Sequence, residues 1–277
     1  MAAIPKILYK YVDLAGAEKI LFNNTLKATP PNKFNDPFEL MAGGVCNVSR
    51  EHDFDLLKSY DSYKKARKLK MFDDCYARYI EHIDSNHRLI DHVIESSLSN
   101  QDSYHNEIAE LVNELSRTAG IVCFSATNDH ILMWSHYADQ HKGVVIGFDS
   151  KLLSDDWIPV DYSKERYFLN IERRKDRDER IKMIARKSDL WAYEEEYRFV
   201  VLLQKCKNKN RDDDDAFFTF EYRSEAIKEV IFGCRMSRNN INDLGVALKE
   251  RYGNSIMNYK AMADKIKYGI NLHKTRF

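Results

Sequence analysis

From Glu51 to Arg117 the chain contains neither proline nor glycine. The two residues that most readily interrupt regular structure are missing over a stretch far longer than any ordinary strand. Its apolar residues recur at helical spacing: Phe54, Leu57 and Tyr60; Tyr76, Tyr79, Ile80 and Ile83; Ile108, Leu111, Val112 and Leu115. Three or four helices are expected there.

Everything around that block reads as short strands with a few helices between them. Strand-length runs stand at Ile7–Val12, Thr25–Thr29, Gly120–Phe124, Gly143–Phe148, Trp157–Tyr162, Tyr197–Leu203, Phe217–Tyr222 and Glu229–Phe232, with a last strand or two in Ala261–Leu272. Pro159 marks an edge strand. Helices are expected over Leu14–Asn23, capped by Asp13, over Leu132–Gln140, capped at Asn128 or Asp129, in the second half of Lys164–Lys187, and over Asn240–Arg251. Lys205–Asp215 joins opposite charge blocks without apolar periodicity and reads as a mobile hairpin loop; its Asp212–Asp215 run lacks the spacing and glycine of a calcium loop. Strands enclosing one helical block give the α+β class rather than alternating βαβ units. The simplest organisation is a single domain, residues 1–277, with a helical insertion at 51–117.

The charges exclude several roles. Lys+Arg and Asp+Glu number 43 each among 277 residues, so no global field favours nucleic acid or a membrane surface. No run approaches the roughly 18 apolar residues of a membrane span, and Met1–Lys10 lacks a leader pattern. The five cysteines include no C-x-x-C pair, which argues against a zinc site or a disulfide framework. The histidines of the helical block (His52, His82, His87, His92, His105) share no metal-ligand spacing. A cytoplasmic protein without a metal is expected.

Two stretches carry candidate chemistry. The first, C-F-S-A-T-N-D-H-I-L-M-W-S-H-Y, sets Ser125, Trp134, His136 and Tyr137 between two apolar strands. Such groups are costly to bury without partners, so they form either a satisfied core or the wall of a hollow on which a flat ring stacks. A Ser125–His136–Asp129 hydrolase triad lacks the glycine-flanked nucleophile turn. The second, W-A-Y-E-E-E-Y-R, leads three carboxylates into a strand. Side chains alternate along a strand, which puts Glu194 and Glu196 on one face and Glu195 on the other. Like carboxylates side by side raise at least one pKa and suit general-base work or a cationic centre. The structural alternative is a sheet-end salt bridge between Glu194 and Arg198. F-N-D-P-F-E at Phe34–Glu39 reads as an ordered loop that could also touch a ligand. No Walker or dinucleotide glycine loop is present.

L-Y-K-Y at Leu8–Tyr11, F-N-D-P-F-E, C-F-S, M-W-S-H-Y-A-D-Q-H-K-G at Met133–Gly143, W-A-Y-E-E-E-Y-R at Trp191–Arg198 and V-I-F-G at Val230–Gly233 together resemble the bacterial family catalogued as domain of unknown function 2971. That resemblance implies, for some members, a setting among phage-defence and mobile-element genes, and no activity. The order of motifs is also similar to the ADP-ribosyltransferase plan. This second similarity implies two small, mostly antiparallel sheets around a cleft that binds NAD. It places the ribose at Tyr9 or Lys10 and frames the nicotinamide with Ser125 or Tyr137, with Trp134 and His136 in the adjoining aromatic cluster. It makes Glu196 the carboxylate that stabilises the oxocarbenium-like centre, and Glu194 its upstream partner. Where those enzymes carry Arg or His in the first strand, this chain has L-Y-K-Y. The partners implied are a nucleotide-like small molecule and a macromolecular acceptor, nucleic acid or protein, with the chain acting as a toxin or defence effector. A non-catalytic ligand- or partner-binding module is the alternative.

Overall fold

The structure, a computed structural model, describes residues 3–40, 42–45, 101–170, 173–209 and 217–277. The helical faces expected around Phe54 and Tyr76, the histidines His52, His82, His87 and His92, and the Asp212–Asp215 run lie outside the described residues. In chain order the elements begin with β1 (Ile7–Val12), α1 (Leu14–Asn23), β2 (Thr25–Ala28), β3 (Gly43–Val45), α2 (Gln101–Thr118) and β4 (Ala119–Ser125). There follow α3 (Ile131–Tyr137), β5 (Val144–Asp149), α4 (Ser150–Leu153), β6 (Ile158–Pro159), β7 (Asp161–Ser163), β8 (Phe168–Asn170), α5 (Arg177–Ala185) and β9 (Arg186–Ser188). The chain ends with β10 (Glu196–Leu202), β11 (Lys207–Lys209), β12 (Phe217–Glu221), β13 (Ile227–Phe232), α6 (Arg238–Tyr252), β14 (Met257–Ala263) and β15 (Ile270–Thr275).

The chain divides into two compact units. The smaller, Met41–Leu111 with Arg166–Met183, contains the parallel pair β3–β8. In it the Tyr167 hydroxyl donates to Glu179 Oε2 at 2.6 Å. The larger unit (Met1–Leu40, Val112–Glu165, Ile184–Phe277) holds the main sheet and the candidate site.

That sheet has eight strands in the order β15-β14-β13-β5-β1-β4-β10-β6. Neighbours are antiparallel except β13 and β14, which run parallel and are joined through α6. The expectation of two small sheets around a cleft is therefore corrected: one large sheet dominates, beside a three-stranded sheet β11-β12-β2 and the pair β7–β9. The reason lies in β5. Val144, Val145, Ile146 and Phe148 are all fully buried, so this strand is covered on both faces and sits inside a sheet rather than at the rim of a small one. Pro159 does mark the edge, in β6.

Local sequence explains the joints. Asp13 accepts the Gly16 N–H as the N-cap of α1, and Asn24 ends that helix in the left-handed region at φ 52°. Helix α3 stops at Tyr137, short of the expected Gln140, because Asp139, Gln140 and His141 all adopt positive φ. Its N-cap is His130 and not Asn128 or Asp129: the Asn128 carbonyl accepts the Trp134 indole N–H at 2.8 Å, and Asp129 accepts the Thr127 hydroxyl. Gly143 must follow, since a Cβ there would lie 2.1 Å from the Val12 carbonyl oxygen.

One face of the sheet packs against α1 and α6 through Leu8, Val122, Phe124, Ile146, Phe148, Phe199, Val230 and Phe232. Phe124 meets Phe148 and Trp157 edge-on at centroid distances of 5.5 and 5.4 Å. The opposite face carries Tyr9, Tyr11, Cys123, Ser125, Glu196 and Arg198, one residue out of phase on the same strands.

Candidate active site

The site forms where two strands begin to part. β1 and β4 share one register pair, Tyr9 with Ser125, and β10 continues the row with Glu196 opposite Ser125. Beyond it the Lys10 ammonium donates to the Cys123 carbonyl at 2.8 Å. A cavity of about 130 Å³ opens there. Its wall includes Tyr9, Lys10, Ser125, Tyr137, Glu194 and Glu196, six of the residues singled out from sequence. Phe34 and Glu39 from the F-N-D-P-F-E loop, Cys123 and Lys187 also line it.

Glu194 and Glu196 come together by a route other than the expected one. Asp189–Glu194 is a 3-10 turn capped by the Ser188 hydroxyl, Glu195 is left-handed at φ 44°, and the strand starts only at Glu196. The turn, and not strand alternation, brings the Glu194 carboxylate beside that of Glu196.

The charges form one buried cluster. Arg198, wholly buried, grips Glu196 with Nε and Nη2, both at 2.9 Å, and its Nη2 also meets Glu39. Its Nη1 donates to the Ile184 carbonyl at 2.6 Å, and its guanidinium lies over the Phe34 ring. Lys187 Nζ reaches Glu194 at 2.6 Å, Glu196 at 3.0 Å and Glu39 at 3.8 Å. The Tyr137 hydroxyl donates to the other Glu194 oxygen at 2.6 Å. The Glu196 backbone N–H donates to the Tyr162 hydroxyl at 2.8 Å. The sheet-end salt bridge foreseen between Glu194 and Arg198 is thus drawn differently: Arg198 takes Glu196 and Glu39, and Glu194 takes Lys187.

These surroundings drive the carboxyl groups apart. Burial raises Glu194 above its ordinary pKa although Lys187 and Tyr137 pull the other way. Burial likewise raises Glu39 against Arg198 and Lys187. Burial also opposes ionisation of Glu196, but Arg198 and Lys187 outweigh it and hold that carboxyl well below the usual range. Two neighbouring carboxyl groups in opposite protonation regimes are the pattern from which acid and base roles are built. Burial lifts the Cys123 thiol far above its ordinary value, with Glu196 adding to it, so it is no thiolate nucleophile. Burial and Glu194 together keep Tyr137 a neutral donor.

Three carboxylates thus meet two cations in direct contact. The Lys10 ammonium, bonded to a carbonyl rather than a carboxylate, offsets that excess only in part, because burial disfavours its charge. The cavity favours one more positive charge, carried by a proton or by a bound group.

Two sequence candidates stand elsewhere. Trp134, expected as a stacking wall, is a core side chain: fully buried, edge-on to Tyr11 at 5.6 Å and absent from the cavity wall. His136 sits among Tyr193, Trp191 and Tyr137, with its Nδ1 3.4 Å from the Tyr193 hydroxyl. The groups of the triad bond to other partners: Ser125 Oγ accepts the Thr127 N–H, Asp129 accepts the Thr127 hydroxyl, and His136 Nδ1 faces the Tyr193 hydroxyl. Glu39 and Lys187 were missed from sequence; the signal for Glu39 was its place at the end of F-N-D-P-F-E, whereas Lys187 is masked by the basic run before it. Among the described residues, no group of His, Cys, Asp and Glu is arranged to hold a metal ion, and no helix is long and apolar enough to cross a membrane.

No curated protein and no solved structure matches the chain. One family does, and its matched stretch includes the M-W-S-H-Y and W-A-Y-E-E-E-Y-R motifs together with Tyr137, Lys187, Glu194, Glu196 and Arg198, while L-Y-K-Y and F-N-D-P-F-E fall outside it. Over residues 133–199 the chain matches the model of the family described as Protein of unknown function (DUF2971).

Proposed function

We propose that this chain is an enzyme that cleaves the glycosidic bond of a cationic, nucleotide-like substrate, with NAD as the first candidate, in the manner of an ADP-ribosyltransferase or NAD glycohydrolase. The observation that carries the reading is the buried excess of carboxylate over cation in a cavity open beside Ser125 and Tyr137. The pyridinium ring of NAD carries the missing positive charge. A cavity of about 130 Å³ is of the order of the ~150 Å³ that holds a benzene ring and is open on one side, so the pyridinium ring would enter it with its carboxamide and the rest of the dinucleotide toward the opening.

The chemistry balances as follows. The bond between the ribose anomeric carbon and the ring nitrogen breaks, and its electron pair leaves with neutral nicotinamide. Positive charge moves to the anomeric carbon, where the fixed Glu196 carboxylate and the net negative wall stabilise it. Water or an acceptor hydroxyl attacks that carbon and gives its proton to Glu194, whose raised pKa suits it to accept one. Tyr137 orients the Glu194 carboxylate, and Arg198 and Lys187 keep Glu196 ionised.

A second reading also has support. Both Glu196 oxygens are engaged by Arg198 and Lys187, which suits a rigid binding module that recognises the same cationic ring without cleaving it. Incubation with NAD and chromatographic detection of nicotinamide separates the two. The enzymatic reading predicts release by the wild type and a loss of roughly 10²-fold or more in Glu194→Gln, the scale of a general base. NAD binding with no release supports the module, and neither binding nor release refutes both.

A further inference from the structure

One buried carboxylate stands outside the ion cluster. Glu229 of β13 is 9% exposed, and among the described residues no cation pairs with it. A carboxylate buried in this way costs stability, so stability does not account for its placement. Register and a glycine put it where it is. The pairing of β13 with β5 shifts between Ile227, opposite Phe148, and Glu229, opposite Gly147. Without that shift Lys228 would face Gly147, and Glu229 would fall opposite Ile146 on the apolar face. The irregularity therefore turns Glu229 onto the face that carries the candidate site. Gly147 leaves room for it there: a Cβ at that position would lie 2.5 Å from the Glu229 Cγ and 3.0 Å from its Oε1. Beyond Gly147 the same row continues through Tyr9 and Ser125 to Glu196.

Tyr9 is where this row meets the cavity. Its hydroxyl donates to Glu229 and accepts from Asn128, and neither of these two residues lines the cavity. Tyr9 does line it, so the part of Tyr9 turned to the cavity is its ring. Burial and Glu229 both keep the hydroxyl protonated, which preserves the bond. A phenol that donates to a carboxylate gains electron density in its ring, and the face of such a ring attracts a cation. Glu229 thus bears on the cavity without touching it.

We propose that Glu229 is a positioning residue that sets the cavity's preference for a cation: acting through Tyr9, it fixes and polarises the ring against which the positive group lies. This rests on the reading of the cavity as a site for a cationic ring. Calorimetric titration of the full chain with 1-methylnicotinamide and with neutral nicotinamide tests it without turnover. The wild type is expected to prefer the cation. Glu229→Gln keeps the shape and an acceptor oxygen but removes the charge. It should bind the cation about threefold or more weakly and the neutral ring unchanged. Tyr9→Phe should act in the same direction, and adding Glu229→Gln to it should weaken binding little further, because the carboxylate acts through the hydroxyl. The denaturant midpoint of Glu229→Gln should be no lower than that of the wild type, the opposite of what a structural carboxylate would give. A wild-type preference that survives intact in Glu229→Gln, equal weakening of both ligands, or effects that add in full in the double variant overturns this inference and leaves the cavity reading standing. No preference in the wild type overturns the cavity reading and this inference with it.

Discussion

The two faces of the main sheet are built from the same strands and do opposite things. On β10, Phe199 enters an aromatic core while Arg198, one residue earlier, is wholly buried in an ion cluster. On β4, Phe124 packs against Phe148 while Cys123 and Ser125 face the cavity. One face holds the sheet together by burial of apolar area. The other holds charges that favour folding only as a complete set, because each is expensive once its partner is gone. The strands that carry Ser125, Glu196 and Arg198 are therefore backed by a packed apolar face, which is what preorganisation of the proposed site requires.

The sharpest way to test that contrast is to damage each face in turn. Arg198→Met leaves Glu196 and Glu39 buried without their guanidinium and should cost about 3–5 kcal/mol. Phe199→Ala should cost a similar ~3–5 kcal/mol by opening a cavity. Denaturant midpoints measured against pH tell them apart. The Arg198→Met deficit should shrink in acid, as the stranded carboxylates take up protons, whereas the Phe199→Ala deficit should not. Equal pH responses would erase the distinction between the faces.

A smaller effect is expected where the faces join. Gly143→Ala pushes a Cβ against the Val12 and Ala138 backbones and should cost about 1–3 kcal/mol, read from the same midpoints. Tyr137→Phe removes the hydroxyl that orients Glu194 and should cost about 0.5–1.5 kcal/mol, with a larger proportional loss of activity than of stability.

The cluster also sets a pH signature. Glu196 is held low, so its contribution is present above the ordinary carboxylate pKa and is lost as pH falls toward its lowered value. Glu194 and Glu39 are raised, so the folded chain keeps protons that the unfolded chain has released, and stability declines as pH climbs from the ordinary value through the raised one. The cluster's contribution should therefore peak near the ordinary glutamate pKa of about 4.3. Glu194→Gln should flatten the decline on the alkaline side; an unchanged slope would mean Glu194 is not among the raised groups.

Much of the scaffold was legible because it is local. Asp13 before an apolar helical stripe gave the limits of α1, and the unbroken V-V-I-G-F run gave β5. The meeting of Tyr9, Ser125, Tyr137, Glu194 and Glu196 was legible from residue type: polar and aromatic groups beside strand ends must find partners. The identity of those partners was not. Glu39 reaches Arg198 across 159 positions, and no periodicity reports a contact of that span. Trp134 and Tyr137 share a helix with nothing in their spacing to say that the first faces the core and the second the cavity. The single large sheet was hidden because its central strands pair with partners far away in sequence: β1 lies between β5 and β4, and β5 between β13 and β1.

The central claim is that the cavity prefers a cationic ring. Titration with 1-methylnicotinamide and with nicotinamide, which differ by a methyl group and one positive charge, tests it directly. The account predicts that the cation binds at least about tenfold more tightly, a difference of about 1.4 kcal/mol, and that the preference falls in Glu194→Gln. Equal affinity, or tighter binding of the neutral ring, would contradict it.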